Sequence, residues 1–382
     1  TSGSIRLETA SPSLRQRMDL PEVLAKDDIP FIHGEVDSID LDGRRVRFTP
    51  NERPGAEQEE IGYDYLVFAL GSRLAYDAIE GFAEHGFTVG DIYHANRLRH
   101  YLKHDYRGGP IAVGSARFHQ GDGADGLIPY SGGSIPRALA ACEGPPVEVM
   151  LSMATWLKQH DMGGPDKVTV FTPADLIAED AGEEVVHKLL EIAGGMGFGY
   201  VDKGKDILRL TADGVELASG QQIPAEFSII FPDWVPHDFL KGLPVADSAG
   251  FIKTDLTMRN PDRAEVFAVG DCAAVVVPKL GAIGHQTANI AARRLAADLG
   301  HLPESEVEPL KPVVYCIGDM GEGKAFYIRS NSWFGGDTQV LKMGRTAHFL
   351  KEEYRRLFFM RDGKVPSWGL DVAEVLQEKI VG

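Results

Sequence analysis

Tyr63-Asp64-Tyr65-Leu66-Val67-Phe68-Ala69-Leu70-Gly71 is a nearly continuous apolar run closed by a glycine, the pattern of a strand buried on both faces of a sheet. Two later runs share that form: Pro110-Ile111-Ala112-Val113-Gly114, and Val266-Phe267-Ala268-Val269-Gly270-Asp271. After the first of these come a loop rich in Gly, Pro and Ser, a helical stretch over residues 147–160 and the strand Val168-Thr169-Val170-Phe171. That order is a βαβ unit, which requires a parallel sheet with a right-handed crossover. Upstream, residues 29–36 and 45–48 read as strands of a hairpin or three-stranded meander turned through Asp42-Gly43, and downstream residues 286–299 read as a helix rich in alanine and arginine. The chain is therefore expected to be α/β, leaving a first Rossmann-like domain near Gly108 and returning near Asn260. Residues 1–107 with 260–310 form the first domain, 108–259 the second, and 311–382 a separate tail joined at Lys311-Pro312.

A chain of 382 residues is too long for one ordinary core, which agrees with two or more domains. Its formal charge of -17 would repel nucleic acid, so no nucleic-acid partner is expected. No apolar run is long enough to cross a bilayer as a helix. The only cysteines are Cys142, Cys272 and Cys316, an odd and scattered set that suits neither a disulfide framework nor a zinc site, so no metal is expected. The chain opens on Thr1 rather than a methionine, and the expectation is that the protein's true start lies further upstream.

Three features carry chemistry. Asp271 follows a buried strand and a glycine, a place from which a carboxylate reaches a sugar or ribityl hydroxyl; the plainer reading is a helix cap or turn. Cys142, in Ala141-Cys142-Glu143-Gly144-Pro145-Pro146, stands at the start of a helix, with Glu148 in that helix's opening turn. Exposed backbone N–H groups there favour a thiolate; the plainer reading is a buried, inert thiol. Lys279 stands close behind Asp271.

The strand at 63–71 and the strand ending in Gly270-Asp271 resemble, in that order, the two signatures of flavoproteins with two dinucleotide-binding domains. Four segments narrow the likeness: Gly108-Gly109-Pro110-Ile111-Ala112-Val113-Gly114-Ser115, Cys142-Glu143-Gly144-Pro145, Val269-Gly270-Asp271 with Val277-Pro278-Lys279-Leu280-Gly281, and Val314-Tyr315-Cys316-Ile317-Gly318-Asp319-Met320. With these the chain resembles the sulfide:quinone oxidoreductases, the archaeal type above all, through almost its whole length. The resemblance implies two Rossmann-like FAD/NAD(P)-binding-type domains, FAD as cofactor, and Cys142 and Cys316 as a redox pair bridged by sulfur beside the flavin. It places Gly71, Gly270, Asp271, Lys279 and Gly281 at the cofactor. Two cysteines suit the chemistry because hydrosulfide opens a sulfur bridge to a persulfide and frees a thiolate. Glu143 is either a proton-handling group near that bridge or a cap for the helix. Lys279 either sets positive charge beside the reduced flavin or is a solvated surface lysine.

Where many family members carry a third cysteine this chain has Gly90, so FAD is expected to be held without a covalent bond, and Cys272 is expected to pack. The Gly-x-Gly-x-x-Gly fingerprint does not occur before Asp27 and is expected upstream of Thr1. The loop Gly114-Ser115-Ala116-Arg117-Phe118 lacks the glycines for close pyrophosphate approach, and Thr172-Pro173 follows the strand at 168–171 where an acidic residue would hold a ribose. A nicotinamide site is not expected.

Residues 345–361 combine Phe349, Leu350, Leu357, Phe358, Phe359 and Met360 with Arg345, Lys351, Arg355, Arg356 and Arg361. A basic amphipathic helix of this kind either lies in the interface of an anionic bilayer or packs on its own core. The resemblance favours a membrane-associating tail, with Trp368 as an interfacial anchor, Tyr354 at the quinone slot and Phe358 as a second candidate. The expected protein is thus a peripheral membrane enzyme on the cytoplasmic face, taking sulfide and quinone, with a homo-oligomer left open. The rivals are a flavocytochrome-type sulfide dehydrogenase delivering electrons to a haem partner, and a scaffold that has lost FAD.

Overall fold

The computed structural model describes residues 18–51, 55–125, 127, 130, 136–275 and 278–364. Its centre is a five-stranded parallel sheet in the order Gly86–Phe87, Phe227–Phe231, Ile111–Ser115, Val168–Phe171, Gly199–Val201. Every residue of Ile111–Ser115 and of Phe227–Phe231 is buried, which is why residues 110–114 read as an apolar run; the strand Phe227–Phe231 was not foreseen. Helix Gly144–Gln159 covers the sheet with Val147, Met150, Leu151, Ala154 and Leu157. Helix Glu183–Met196 adds Val185, Val186, Leu189 and Ala193 at helical spacing. A side chain at Gly114 would strike the Phe171 ring at 2.5 Å, so that crossing of neighbouring strands needs a glycine.

Several expectations change. The strand at 63–71 shortens to Leu66–Phe68, and Val67 and Leu70 are 43% and 40% exposed. Among the described residues it pairs with Val266–Ala268 alone, which leaves its other edge unpaired there. Ahead of residue 108, Gly86–Phe87 joins the parallel sheet beside Phe227–Phe231. Phe87 packs edge-to-face on Phe227 and tilts against Tyr101 of helix Ile92–His104, so this strand belongs to that core.

The tail is also less separate than residues 311–382 suggested. Antiparallel strands Val314–Gly321, Lys324–Ser330 and Gln339–Gly344 form a small sheet that leads into helix Arg345–Met360. Val314, Phe326 and Ile328 sit in the same apolar cluster as Cys142, Met150 and Leu157. The Thr155 hydroxyl donates to the Met320 carbonyl at 3.1 Å, tying the tail sheet to the middle of helix Gly144–Gln159. Elsewhere, the meander Gly34–Asp40, Arg45–Pro50, Glu59–Gly62 forms as expected, except that its first strand starts at Gly34 rather than residue 29. Helices foreseen at 147–160 and 286–299 begin earlier, as Gly144–Gln159 and Gly281–Asp298. Trp368 lies outside the described residues.

Candidate active site

Helix Gly144–Gln159 starts with Glu143 as its N-cap residue and a proline in its first turn, where a missing N–H costs nothing. The Cys142 sulfur, just outside, accepts the Gly144 N–H. Cys316 comes from the strand Val314–Gly321, opposite Ile328. A β-carbon built on Gly144 would lie 3.0 Å from Cys316 Sγ. Both thiols therefore converge on one glycine, whose N–H serves one sulfur and whose bare α-carbon makes room for the other. Both are free thiols.

The thiolate expected from the helix terminus does not survive burial. Desolvation pushes Cys142 well above its usual value; Asp180 and Cys316 push the same way, and the Gly144 N–H only partly offsets them. Cys316 is pushed up to about 12 by burial, then by Glu148 and Asp180, against Lys351. At neutral pH both sulfurs rest protonated.

Glu143 is 2% exposed. Its side chain does not cap the helix. Oε2 accepts the Ala178 N–H at 2.7 Å, and Thr172 donates a further bond. Oε1 is buried with no partner. Burial pushes the carboxyl up to about 8, so at neutral pH it is an acid holding its proton.

Lys279 is likewise not a surface lysine. It is 3% exposed, its Nζ donates to the Ala273 carbonyl at 3.0 Å, and it lies 4.4 Å from the Phe251 ring centroid. Burial pulls it down to about 8 even though Asp271 favours its charge. Its backbone N–H donates to the Ala141 carbonyl at 2.7 Å, stitching this loop to the cysteine loop.

Gly71 and Gly270–Asp271 follow the carboxyl ends of the paired parallel strands Leu66–Phe68 and Val266–Ala268, the side of an α/β sheet where ligands bind. Gly71 and Gly270 adopt φ of +64° and +67°, which favours glycine. Built β-carbons on Gly71 and Gly281 would meet nothing within 4 Å, and one on Gly270 only the Gly284 α-carbon at 4.0 Å. Gly281 opens helix Gly281–Asp298, which has no side-chain cap, so its first N–H groups are available to an anion. Ser72 Oγ is buried without a partner. Burial raises Asp271, and its charge in turn reaches Cys142. Open glycines, an uncapped helix start, an orphaned hydroxyl and a carboxylate facing a cysteine fit the ribityl and pyrophosphate portions of a flavin dinucleotide. Cys272, fully buried, points its thiol at the Phe68 and Val269 carbonyls, a packing role.

Tyr354 and Phe358 stack on the tail helix at 6.3 Å, and Phe358 meets His285 of helix Gly281–Asp298 edge-on at 6.3 Å. The expected quinone residues thus border helix Gly281–Asp298. One turn earlier, Lys351 Nζ donates to Glu148 Oε1 at 2.5 Å in a buried ion pair, and the same oxygen accepts the Asp319 N–H.

Sequence reasoning missed Asp180, the Lys351 pairing and Glu179. Asp180 sits in Ala178-Glu179-Asp180-Ala181-Gly182, which reads as an ordinary acidic turn; in the fold it is buried, and its charge helps push both thiols up. Glu148 was visible as a carboxylate six positions after Cys142, without its partner.

No family model matches the chain. Sulfide-quinone reductase of Aquifex aeolicus is 24% identical over 93% of this chain and 81% of its own length. An NADH dehydrogenase-like protein of Mycobacterium tuberculosis is 27% identical over 68% of this chain and 58% of its own length. Among solved structures, the sulfide:quinone oxidoreductase of Aquifex aeolicus superimposes with a TM-score of 0.74 at 22% identity, over 95% of this chain and 82% of that one. In sequence along nearly its whole length, and in fold, the chain is similar to the sulfide:quinone oxidoreductases.

Proposed function

We propose that this chain oxidises sulfide at the Cys142–Cys316 pair and reduces quinone beside Tyr354 and Phe358. The observation that carries this is the meeting of two thiols from a helix start and a tail strand on Gly144. FAD, when bound, supplies the two-electron relay between sulfur and quinone, and Gly71, Gly270, Asp271 and Gly281 would hold it. Hydrosulfide attacking one sulfur of the oxidised pair forms a persulfide there and releases the other as thiolate. Glu143, buried and protonated at neutral pH, holds a proton beside that exchange. Lys279 lends positive charge next to Asp271. Similarity to Aquifex sulfide-quinone reductase supports the reading.

The acceptor is assigned from the tail. Phe349, Tyr354, Leu357 and Met360 are exposed on helix Arg345–Met360, among exposed Arg345 and Arg356. Among the described residues no helix is long and apolar enough to cross a membrane. An exposed apolar and basic helix favours a peripheral seat on an anionic bilayer, on the cytoplasmic face, where quinone resides. The test is sulfide-dependent flavin reduction in the FAD-loaded protein carrying Cys142→Ala or Cys316→Ala. Both are expected to lose it, and turnover retained in both would defeat the assignment. Offering quinone and cytochrome as alternative acceptors separates this reading from a haem-coupled sulfide dehydrogenase.

A further inference from the structure

Helix Arg345–Met360 is anchored by its first half: its buried residues are Ala347 and Lys351, and Lys351 carries the ion pair to Glu148. The second half bears Tyr354 and Phe358 and has no buried side chain. A segment from far upstream in the chain reaches this half. Helix Leu20–Ala25, capped by Asp19, runs into Lys26 and Asp27, while the turn after the tail helix presents Asp362 and Lys364. Lys26 Nζ donates to Asp362 Oδ2 at 2.7 Å and Lys364 Nζ to Asp27 Oδ2 at 2.6 Å, each charge opposite its complement. Between these pairs lies Gly363, whose φ of +79° and N–H bond to the Phe358 carbonyl at 2.8 Å close the helix. A β-carbon built on Gly363 would lie 3.3 Å from Met18 Cε and 3.5 Å from Phe358 Cζ. The Met18 thioether and the edge of the Phe358 ring therefore close together on one bare α-carbon.

We infer that residues 18–27 are a clamp that seats the second half of the tail helix, with Lys26 and Asp27 as positioning residues and Met18 as a wall of the quinone site beside Phe358. The inference rests on the quinone reading proposed above. A helix end without buried side chains opens readily to solvent, yet aromatic rings grip a flat ligand only while the element carrying them keeps its place. The clamp supplies that constraint. Its pairs are partly open to water, with side chains 58% and 34% exposed in one and 65% and 46% in the other, so each alone contributes little to stability. A single pair would leave the turn free to pivot; two pairs on either side of Gly363 fix it. Methionine, unbranched and polarizable, fills irregular space beside an aromatic ring. Loosening the clamp should therefore weaken quinone binding and spare the sulfur half of the reaction, which is built on Gly144 and Cys316.

The test compares wild type, Asp362→Lys, and Asp362→Lys combined with Lys26→Asp, which restores the pair with its signs exchanged. Hydrogen exchange read by mass spectrometry should run about fivefold faster over residues 354–364 in Asp362→Lys and return to within about twofold of wild type in the combination. Residues 345–351, held through Lys351, should exchange alike in all three. In the FAD-loaded protein, the KM for a short-chain quinone should rise about fivefold in Asp362→Lys and recover in the combination, while flavin bleaching by sulfide alone keeps its wild-type rate. A merely structural role would not split the two half-reactions in this way. Met18→Ala should likewise raise the quinone KM, and Met18→Leu should restore most of it. Unchanged exchange over residues 354–364 in Asp362→Lys, or a quinone KM that stays put while exchange quickens, overturns the inference, and so does an equal slowing of sulfide bleaching. A quinone KM unmoved by Met18→Ala removes Met18 from the site. A wild-type protein that reduces no quinone sinks the proposed function instead, and hydrogen exchange then decides the clamp alone.

Discussion

Replacing Gly144 by alanine puts a methyl carbon 3.0 Å from Cys316 Sγ, against a comfortable separation of about 3.5–4.0 Å between such atoms. Something must yield by roughly half an ångström or more, and the sulfur, on a single rotatable bond, is the softest neighbour. The substitution leaves the backbone N–H that Cys142 accepts in place, so one thiol stays while the other moves. Helix propensity runs the other way: alanine in place of glycine in a helix is favourable by about 0.5–1 kcal/mol. Misplacing a reacting group by 1 Å can cost about 100-fold in rate, so half that shift should cost on the order of 10-fold. The assay is rapid-mixing measurement of flavin bleaching by sulfide, alongside a denaturant midpoint. The expected result is a roughly tenfold slower bleaching step with an unchanged or slightly raised midpoint. Unchanged bleaching in the Gly144→Ala protein would refute the convergence of the two sulfurs on this residue as the basis of the chemistry.

The remaining expectations concern charge and surface. Burial raises the Glu143 carboxyl from its ordinary value near 4.5 to about 8, so the native state binds the extra proton between about pH 4.5 and 8 and stability falls as pH rises through that window. Glu143→Gln, which keeps an acceptor for the Ala178 N–H, should match wild type in urea melts at pH 5 and exceed it by a few kcal/mol at pH 8.5; a gain equal at both pH values would contradict this. Lys351→Met leaves Glu148 buried with its Asp319 N–H but without its cation, and should destabilise by about 3–5 kcal/mol in denaturant unfolding, whereas Lys351→Met with Glu148→Gln should recover most of the loss. Changing Phe349, Leu357 and Met360 together to serine should weaken sedimentation with phosphatidylserine vesicles, each residue worth roughly 1.5–3 kcal/mol if fully inserted; binding unaffected by the change would place the membrane contact elsewhere.

How far the sequence could be read depended on how local each signal is. Strand Ile111–Ser115 and its βαβ partner announced themselves because most residues of a doubly covered strand are apolar. Residues 63–71 carry the same signature, yet Val67 is exposed, since composition records the neighbours a strand is built for and not those that stand beside it. The placing of Cys142 just before a helix was legible in the sequence, although the helix begins at Gly144 rather than at residue 147. The fate of Lys279 was not: whether a lysine is solvated or enclosed by Phe251 and Phe118 depends on residues far along the chain. The burial of Asp180 was illegible for the same reason, because an acidic turn looks alike whether it faces water or the interior.

The acidity of the sulfurs shows where the local and the global disagree. A helix terminus alone would lower a thiol's pKa by a dipole effect worth around 1 kcal/mol or less at an exposed end, while full burial of an ionisable group can shift it by up to several units the other way. At Cys142 the second effect wins, and the charges of Asp180 and Asp271 push the same way as burial. A site that depended on a standing thiolate would be poorly served by this environment. One that keeps its sulfurs bridged between turnovers, and moves a proton whenever a thiolate is released, is well served, because a neutral carboxyl is the form burial favours. The acidic pocket then acts less to activate a resting nucleophile than to make its appearance brief, timed to the opening of the bridge.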